Sequence, residues 1–320
     1  MPIDQPLVSV IIPTTRRHDL VLRAVASAAA QTIRDIEIIV VVDGNNPRTV
    51  AALARVDEDR MLLLQTDRPS GAGAARNFGA AHARGEWVAF LDDDDEWLPE
   101  KLERQLALAG DEDVMLSCRS LVQTPQGTFV WPYRLYDGVS PIDEYLFNRK
   151  SLLRGRSYMP VPSFMMRRAL FERTQFGTSR QNEDTTLLLR VTKEQGVRLV
   201  TVPEPLVVIH TEEDSRPSLG SSYEWREMLA WADATKPLLT RRAYSGFCLI
   251  YLGSQAARRG DLTGFGVLLW RALTRGAPTP TQLALYLTFW VLPIGLRRRI
   301  RSALSRSRPS GFGAAEPAQA

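Results

Sequence analysis

The strongest constraint on this chain is a fourfold alternation of apolar runs and helix-forming segments between residues 7 and 109. The runs are LVSVII (7–12), EIIVVVD (37–43), MLLLQT (61–66) and EWVAFLD (86–92). Between and after them lie 19–31, 48–56, 74–84 and 97–109, built largely from helix-favouring residues. Strands this apolar have no face to offer to water, so both faces must be covered. Helical crossovers between them make the strands parallel. The expected class is α/β, a mostly parallel Rossmann-like sheet flanked by helices. Ligands of such sheets bind beyond the carboxyl ends of the strands. That rule selects Pro13–Arg17, Asp43–Asn46, the 68–76 loop and Asp92–Asp95.

Local punctuation sharpens the boundaries. Pro13 is expected to stop the first strand and Asp19 to cap the first helix. Gly44-Asn45-Asn46-Pro47 breaks the chain after the second strand, and Pro99 suits the first turn of a helix over 97–109. Residues 114–135 read as a hairpin around 125–127. A short strand and helix follow over 160–173, then a helix over 182–196 and two short strands over 197–210. After about residue 220 only helical patterns remain. The expected organisation is an α/β region over 1–220, an all-helical C-terminal region over 221–305 that docks on a membrane or a partner, and a disordered tail over 306–320.

Composition excludes several classes. Two cysteines, Cys118 and Cys248, are too few for a disulfide framework or a cysteine zinc site. Net charge is +4, yet residues 297–320 hold six arginines against one acid, Glu316, so the rest sums to −1. A nucleic-acid reader with basic stripes across its fold is disfavoured. The N-terminus lacks a secretory pattern, and no 18-residue uncharged apolar run suggests a membrane span. Residues 282–296 are uncharged, carry Tyr286 and Trp290, and precede Arg297–Arg299. They read either as an interfacial segment docking on an anionic membrane or as a helix buried against protein. The expected location is cytoplasmic, peripheral on the cytoplasmic face of the membrane.

The chemistry concentrates in two places. Asp92-Asp93-Asp94-Asp95-Glu96 leaves an apolar strand at the ligand edge. On an extended segment Asp92 and Asp94 face one way and can share a cation, with Asp93 turned elsewhere. Carboxylates suit Mg²⁺ or Mn²⁺ better than zinc. The alternative is a solvated acidic turn at a helix start. The loop Ser70–Asn77 contains Gly71-x-Gly73, but Arg76 stands where a dinucleotide fingerprint needs its third glycine, and the loop follows the third strand. Arg76 near a helix N-terminus can meet a phosphate, or be a surface arginine. Trp97 and Trp131 suit either sugar stacking or packing; His18 and His82 read as surface residues.

Five segments in one order resemble the family 2 glycosyltransferases, inverting nucleotide-sugar-dependent enzymes of GT-A fold. They are VSVIIPTTRR (8–17), Gln31-Thr32, EIIVVVDG (37–44), GAGAARNFGAAHARGEWVAFLDDDDEW (71–97) and NEDTTLLLR (182–190). The resemblance covers residues 7–210 and is looser between 115 and 175. It implies that Pro13 and Thr14 line the base and ribose, that Asp43 contacts the base, and that Arg76 lies near the base and diphosphate. It implies a DxD pair in Asp92 and Asp94, with Asp94 the direct metal ligand and Asp92 nearer the ribose. The four-acid run leaves that register open by one residue, which makes Asp93 a donor-binding candidate. Glu183-Asp184 matches the motif whose Asp is the general base; the other reading is helix capping. His210 matches a position near the diphosphate or metal, the other reading being structural. Two departures stand out: Thr15-Arg16 where Tyr-Asn is common, and Val42-Asp43 where two acids are common.

The resemblance thus implies metal-dependent transfer of a sugar, from a UDP-sugar or related donor, to a glycan or lipid-linked acceptor hydroxyl. One rival is a nucleotidyltransferase-like enzyme, although the first loop, PTTRR, has no glycine. The other is a non-catalytic sugar-nucleotide-binding module, against which both acid motifs argue.

Overall fold

The computed structural model describes residues 5–125, 127–148, 157–177, 182–211 and 224–292. The expectations for the arginines at 297–301 and the tail at 306–320 lie outside these residues. Two compact units emerge, residues 1–146 with 156–240, and residues 147–155 with 241–320.

The first unit is built on one nine-stranded sheet. Strands β1 (Val8–Thr14) and β2 (Ile36–Val42) are buried along their whole length. They are joined by α1 (His18–Ala29), and α2 (Pro47–Leu53) leads to β3 (Met61–Gln65). Helix α3 (Ala72–Ala81) then crosses to β4 (Trp87–Phe90). β1 pairs in parallel with β2 and β4, and β2 with β3, as the apolar runs require. Pro13 does not stop β1; it lies inside it, opposite Val41. Ile11 O accepts from Leu91 N at 3.0 Å, so Pro13, two residues on, points its missing N–H to that same side. β4 has already ended there, and no ladder bond is lost.

Beyond β4 the sheet is mixed. A two-residue strand, β5 (Glu96–Trp97), takes the first residue of the helix expected over 97–109, and α4 is confined to Lys101–Leu106. β5 pairs antiparallel with β9 (Arg198–His210), which takes Glu96 and Trp97 out of helical geometry. β9 is one long strand, not two, because β6 (Val114–Thr124) runs parallel beside it and absorbs the proline-bearing stretch in a register shift around Arg119. β7 (Gly127–Trp131) forms the expected hairpin with β6. Following α5 (Ile142–Phe147), β8 (Met165–Arg167) inserts antiparallel between β4 and β6, and α6 (Arg168–Thr174) follows. The sheet order is β3-β2-β1-β4-β8-β6-β9-β5. Asp19 lies in the first turn of α1, whose N-cap is Arg17 without a side-chain cap.

Among the described residues two further α-helices belong to this unit, the first continuing as a π-helical stretch, Arg190–Glu194. α7 (Glu183–Leu189) begins after Asn182, held at φ 49°, and α8 (Trp225–Ala234) packs on it. Trp231 Nε1 donates to Thr186 Oγ1 at 2.9 Å.

The second unit is helical in its described residues. α9 (Arg241–Gly246) continues through a π-helical stretch, Phe247–Leu252, into α10 (Gly253–Arg259). α11 (Leu262–Arg275) is capped by Asp261, which accepts from Gly264 N at 3.2 Å. α12 (Pro280–Val291) opens on a capping box between Thr279 and Gln282. Tyr286 is buried, stacks on Phe265 at 5.4 Å and donates to Phe265 O at 2.7 Å. Among the described residues no helix is long and apolar enough to cross a membrane.

Candidate active site

The carboxyl ends of β1, β2 and β4 converge as the topology requires. Thr14, the last residue of β1, ties two neighbours together. Its carbonyl accepts from Asp43 N at 2.8 Å, and its hydroxyl donates to Asp93 Oδ2 at 2.7 Å. Pro13 and Thr14 therefore abut both the β2 end and the acidic segment. Asp43 is buried and already filled with donors. Ser70 N (2.9 Å), Ser70 Oγ (2.9 Å), Gly71 N (2.8 Å) and Thr66 Oγ1 (3.1 Å) all bond its carboxylate. It thereby fixes the glycine loop against the β2 end. Gly44, next in chain, has φ 86°, and a Cβ there would meet Pro69 Cγ at 2.7 Å.

The acidic segment is a turn, not an extended strand: Asp95 N donates to Asp92 O at 3.2 Å. The alternation argument therefore fails locally, yet Asp92 and Asp94 do come together. Asp95 joins them, one carboxylate oxygen from each lying within 4.8 Å of the others. Asp93 turns away to Thr14 and to Arg17 Nη1 at 3.2 Å, and Arg17 also pairs with Asp94. Burial, then the charge of Asp94, pushes the Asp93 carboxyl up to about 7. Burial and the charge of Asp92 raise Asp94, and the same two causes, with Asp94 added, raise Asp95 well above the carboxylate range. A divalent cation would relieve that repulsion, and an all-carboxylate set fits hard Mg²⁺ or Mn²⁺.

Arg76 lies on the buried side of α3, 3% exposed, and bridges two segments far apart in sequence. Its guanidinium pairs with Asp92 and donates to Glu183 Oε1 at 2.7 Å. Burial alone would lower its pKa; the charges of Asp92 and Glu183 outweigh this and raise it. Gly73, one turn earlier, makes room, since a Cβ there would sit 2.6 Å from Glu183 Oε2. Asp184 follows in the first turn of α7 and is buried. Burial raises its pKa, opposed by hydrogen bonds from the Tyr158 hydroxyl and from its neighbour Thr185 N, the latter at 2.6 Å.

His210 ends β9 beside the acid turn, and its ring faces Glu96. Its Nε2 meets Glu96 Oε1 at 2.7 Å, and its backbone N reaches Asp95 Oδ1 at 3.4 Å. Trp97 is core, donating to Pro162 O at 2.9 Å and stacked over the buried Lys101 ammonium at 3.9 Å. Trp131 packs edge-on to Tyr158 at 6.1 Å. Sequence reasoning placed Arg17 and Asp95 in ligand-edge segments without giving either a role, and missed Tyr158. The two arginines straight after the β1 end were the available signal for Arg17. Asp95 needed the turn, and Tyr158 needed the tertiary contact.

Comparison with known proteins agrees with this geometry. The family model described as Glycosyl transferase family 2 matches residues 9–174. The succinoglycan biosynthesis protein ExoO of Rhizobium meliloti is 38% identical over 104 residues, 32% of this chain and 30% of that protein. The Escherichia coli UDP-Glc:alpha-D-GlcNAc-diphosphoundecaprenol beta-1,3-glucosyltransferase WfaP is 33% identical over 111 residues, 35% of this chain and 44% of that protein. The matched stretch thus spans less than half the length of either relative. Among solved structures, the mannosyltransferase PcManGT of Pyrobaculum calidifontis, in complex with GDP-Man and Mn²⁺, superposes with TM-score 0.56 at 19% identity. That alignment covers 94% of this chain and 84% of the other. S. aureus TarS 1–349 in complex with UDP-GlcNAc superposes with TM-score 0.55 at 17% identity, covering 97% and 94%. Likeness at this identity speaks for the fold, which is GT-A-like, and the family match over more than half of the sequence decides the rest: this chain belongs to glycosyltransferase family 2.

Proposed function

We propose that this chain is an inverting, metal-dependent glycosyltransferase that moves a sugar from a nucleotide-sugar donor to an acceptor hydroxyl in cell-surface glycan assembly. The observation that carries the reading is the Arg76 bridge. It couples the Asp92 end of the acid turn to Glu183, and so to Asp184, in one buried network. The donor is a UDP-sugar, which the activity named for the WfaP relative and the UDP-GlcNAc bound to TarS support, and the acceptor a lipid-linked glycan, which the WfaP activity supports. Peripheral placement on the cytoplasmic face of a membrane follows from such an acceptor.

Asp92, Asp94 and Asp95 would hold Mg²⁺ or Mn²⁺, which as a Lewis acid offsets the charge of the departing diphosphate. Asp184 accepts the acceptor hydroxyl proton while that oxygen bonds to the anomeric carbon. The bond from that carbon to the diphosphate oxygen breaks, and the nucleoside diphosphate leaves with the electron pair. A single base opposite the leaving group gives inversion. Glu183, pinned by Arg76, sets the start of α7 and hence the aim of Asp184. Pro13, Thr14, Asp43 and Asp93 line the nucleoside end; His210 stands at the far side of the acid turn, held by Glu96.

The test is release of nucleoside diphosphate from UDP-, GDP-, dTDP- and CDP-sugars with Mn²⁺ or with chelator. Metal-dependent release from one nucleotide class, lost in Asp94→Ala, is expected. Equal release in chelator would contradict the reading.

A further inference from the structure

The second unit carries a charge and a surface that the transfer chemistry does not use. Residues 147–155 and 241–320 contain fifteen of the forty Lys and Arg but two of the thirty-six Asp and Glu, Asp261 and Glu316. The second unit is therefore +13 and the first −9. The basic excess is not confined to the C-terminal arginines, since Arg241, Arg242, Arg258, Arg259, Arg271 and Arg275 all precede them.

On this basic unit two helices turn apolar faces outward. On α11, Leu262, Trp270 and Leu273 fall on one helical face and are 77%, 57% and 54% exposed. Gly266 lies on that face too, and none of its residues is charged. α12 has no charged residue at all, yet Leu287 (49%) and Val291 (75%) are exposed on the face opposite buried Leu285 and Phe289. A helix apolar on every side is normally enclosed. The described residues leave this one open.

We propose that the outward faces of α11 and α12 form a docking surface for an anionic lipid bilayer. A protein partner would need an acidic, shaped counter-surface. A bilayer with anionic headgroups supplies apolar depth and negative charge together, and tolerates a flat apolar face. The attraction of basic residues to such a surface falls off within a Debye length and is weakened by salt. The inference deepens the membrane placement in the proposed function, and stands apart from its catalytic assignments.

The experiment is flotation of the full chain with vesicles of phosphatidylcholine alone or with about one third phosphatidylglycerol, the dose being set so that anionic charge dominates. Binding to the anionic vesicles only, weakened by salt, is expected. The triple variant Trp270→Ser, Leu273→Ser, Leu287→Ser should lose at least tenfold in vesicle affinity. Its nucleoside diphosphate release in solution should stay unchanged, which separates this claim from the catalytic one. Vesicle binding unaffected by the triple variant would overturn the proposal. So would a wild-type dimer in light scattering that the variant dissolves, since a second copy would then cover the face.

Discussion

Asp184 joins two demands on one carboxylate. Its burial raises its pKa, so the ionised form that accepts a proton is the costly one. The rate should therefore rise with pH along an acid limb above the ordinary value of 3.8. Tyr158→Phe removes a hydrogen bond that favours the ionised form and should move that limb higher still, read from the pH profile of kcat. The sign for stability is opposite. A carboxyl whose folded pKa is raised stabilises the fold fully below its unfolded pKa and loses that contribution as pH rises through the folded value. Asp184→Asn should thus raise Tm at pH 8 and not at pH 4, by about 2–4 °C per kcal/mol in a domain of this size. Arg17 makes a separate prediction. Its guanidinium lies between Asp93 and Asp94, where a divalent cation would be its competitor. Arg17 and Asp94 are 32% and 28% exposed, so that pair is worth no more than about 1 kcal/mol. Arg17→Met should tighten Mn²⁺ binding to the donor-free protein by up to about fivefold, measured by water proton relaxation. Weaker Mn²⁺ binding would show that Arg17 supports the cation instead.

Elements decide which of these residues meet. The parallel strands β1 to β4 were legible because each is an uninterrupted apolar run, and burying such runs leaves few topologies. Placement of Thr14, Asp43 and the acid turn followed from the rule that the carboxyl ends carry the ligand edge. Three things were not legible. The turn at Asp92–Asp95 depends on one backbone bond, so Asp92 and Asp94 come together with Asp95 through a turn and not through the alternation of an extended strand. β5 interrupts a good helical pattern because β9 offers it a ladder, a tertiary gain that local propensity cannot register. The Arg76–Glu183 bridge spans 107 residues and depends on Gly73 having no side chain. Gly73→Ala is expected to displace the Glu183 carboxylate from Arg76, since the new methyl would lie 2.6 Å from Glu183 Oε2 and 3.2 Å from Phe176 Cβ. Overpacking of this kind costs about 1–3 kcal/mol. It should lower kcat more than donor affinity, because it disturbs α7 and not the nucleoside end; a pure loss of donor affinity would count against that.

The whole molecule divides its labour by charge. The first unit, −9, gathers acids at its sheet edge and should be stabilised by what binds there. Mn²⁺ with a cognate nucleotide sugar at about a hundred times its Kd should add about 2.7 kcal/mol to that unit's unfolding free energy, a shift readable by scanning calorimetry. The second unit, +13, should melt at a temperature that those ligands leave unchanged. The account turns on Asp184 as the base. The most direct measurement is single-turnover transfer by Asp184→Asn, with Mn²⁺ and donor saturating. The account predicts a loss of about 10²–10⁴-fold in rate with donor binding intact. Transfer at the wild-type rate would contradict it.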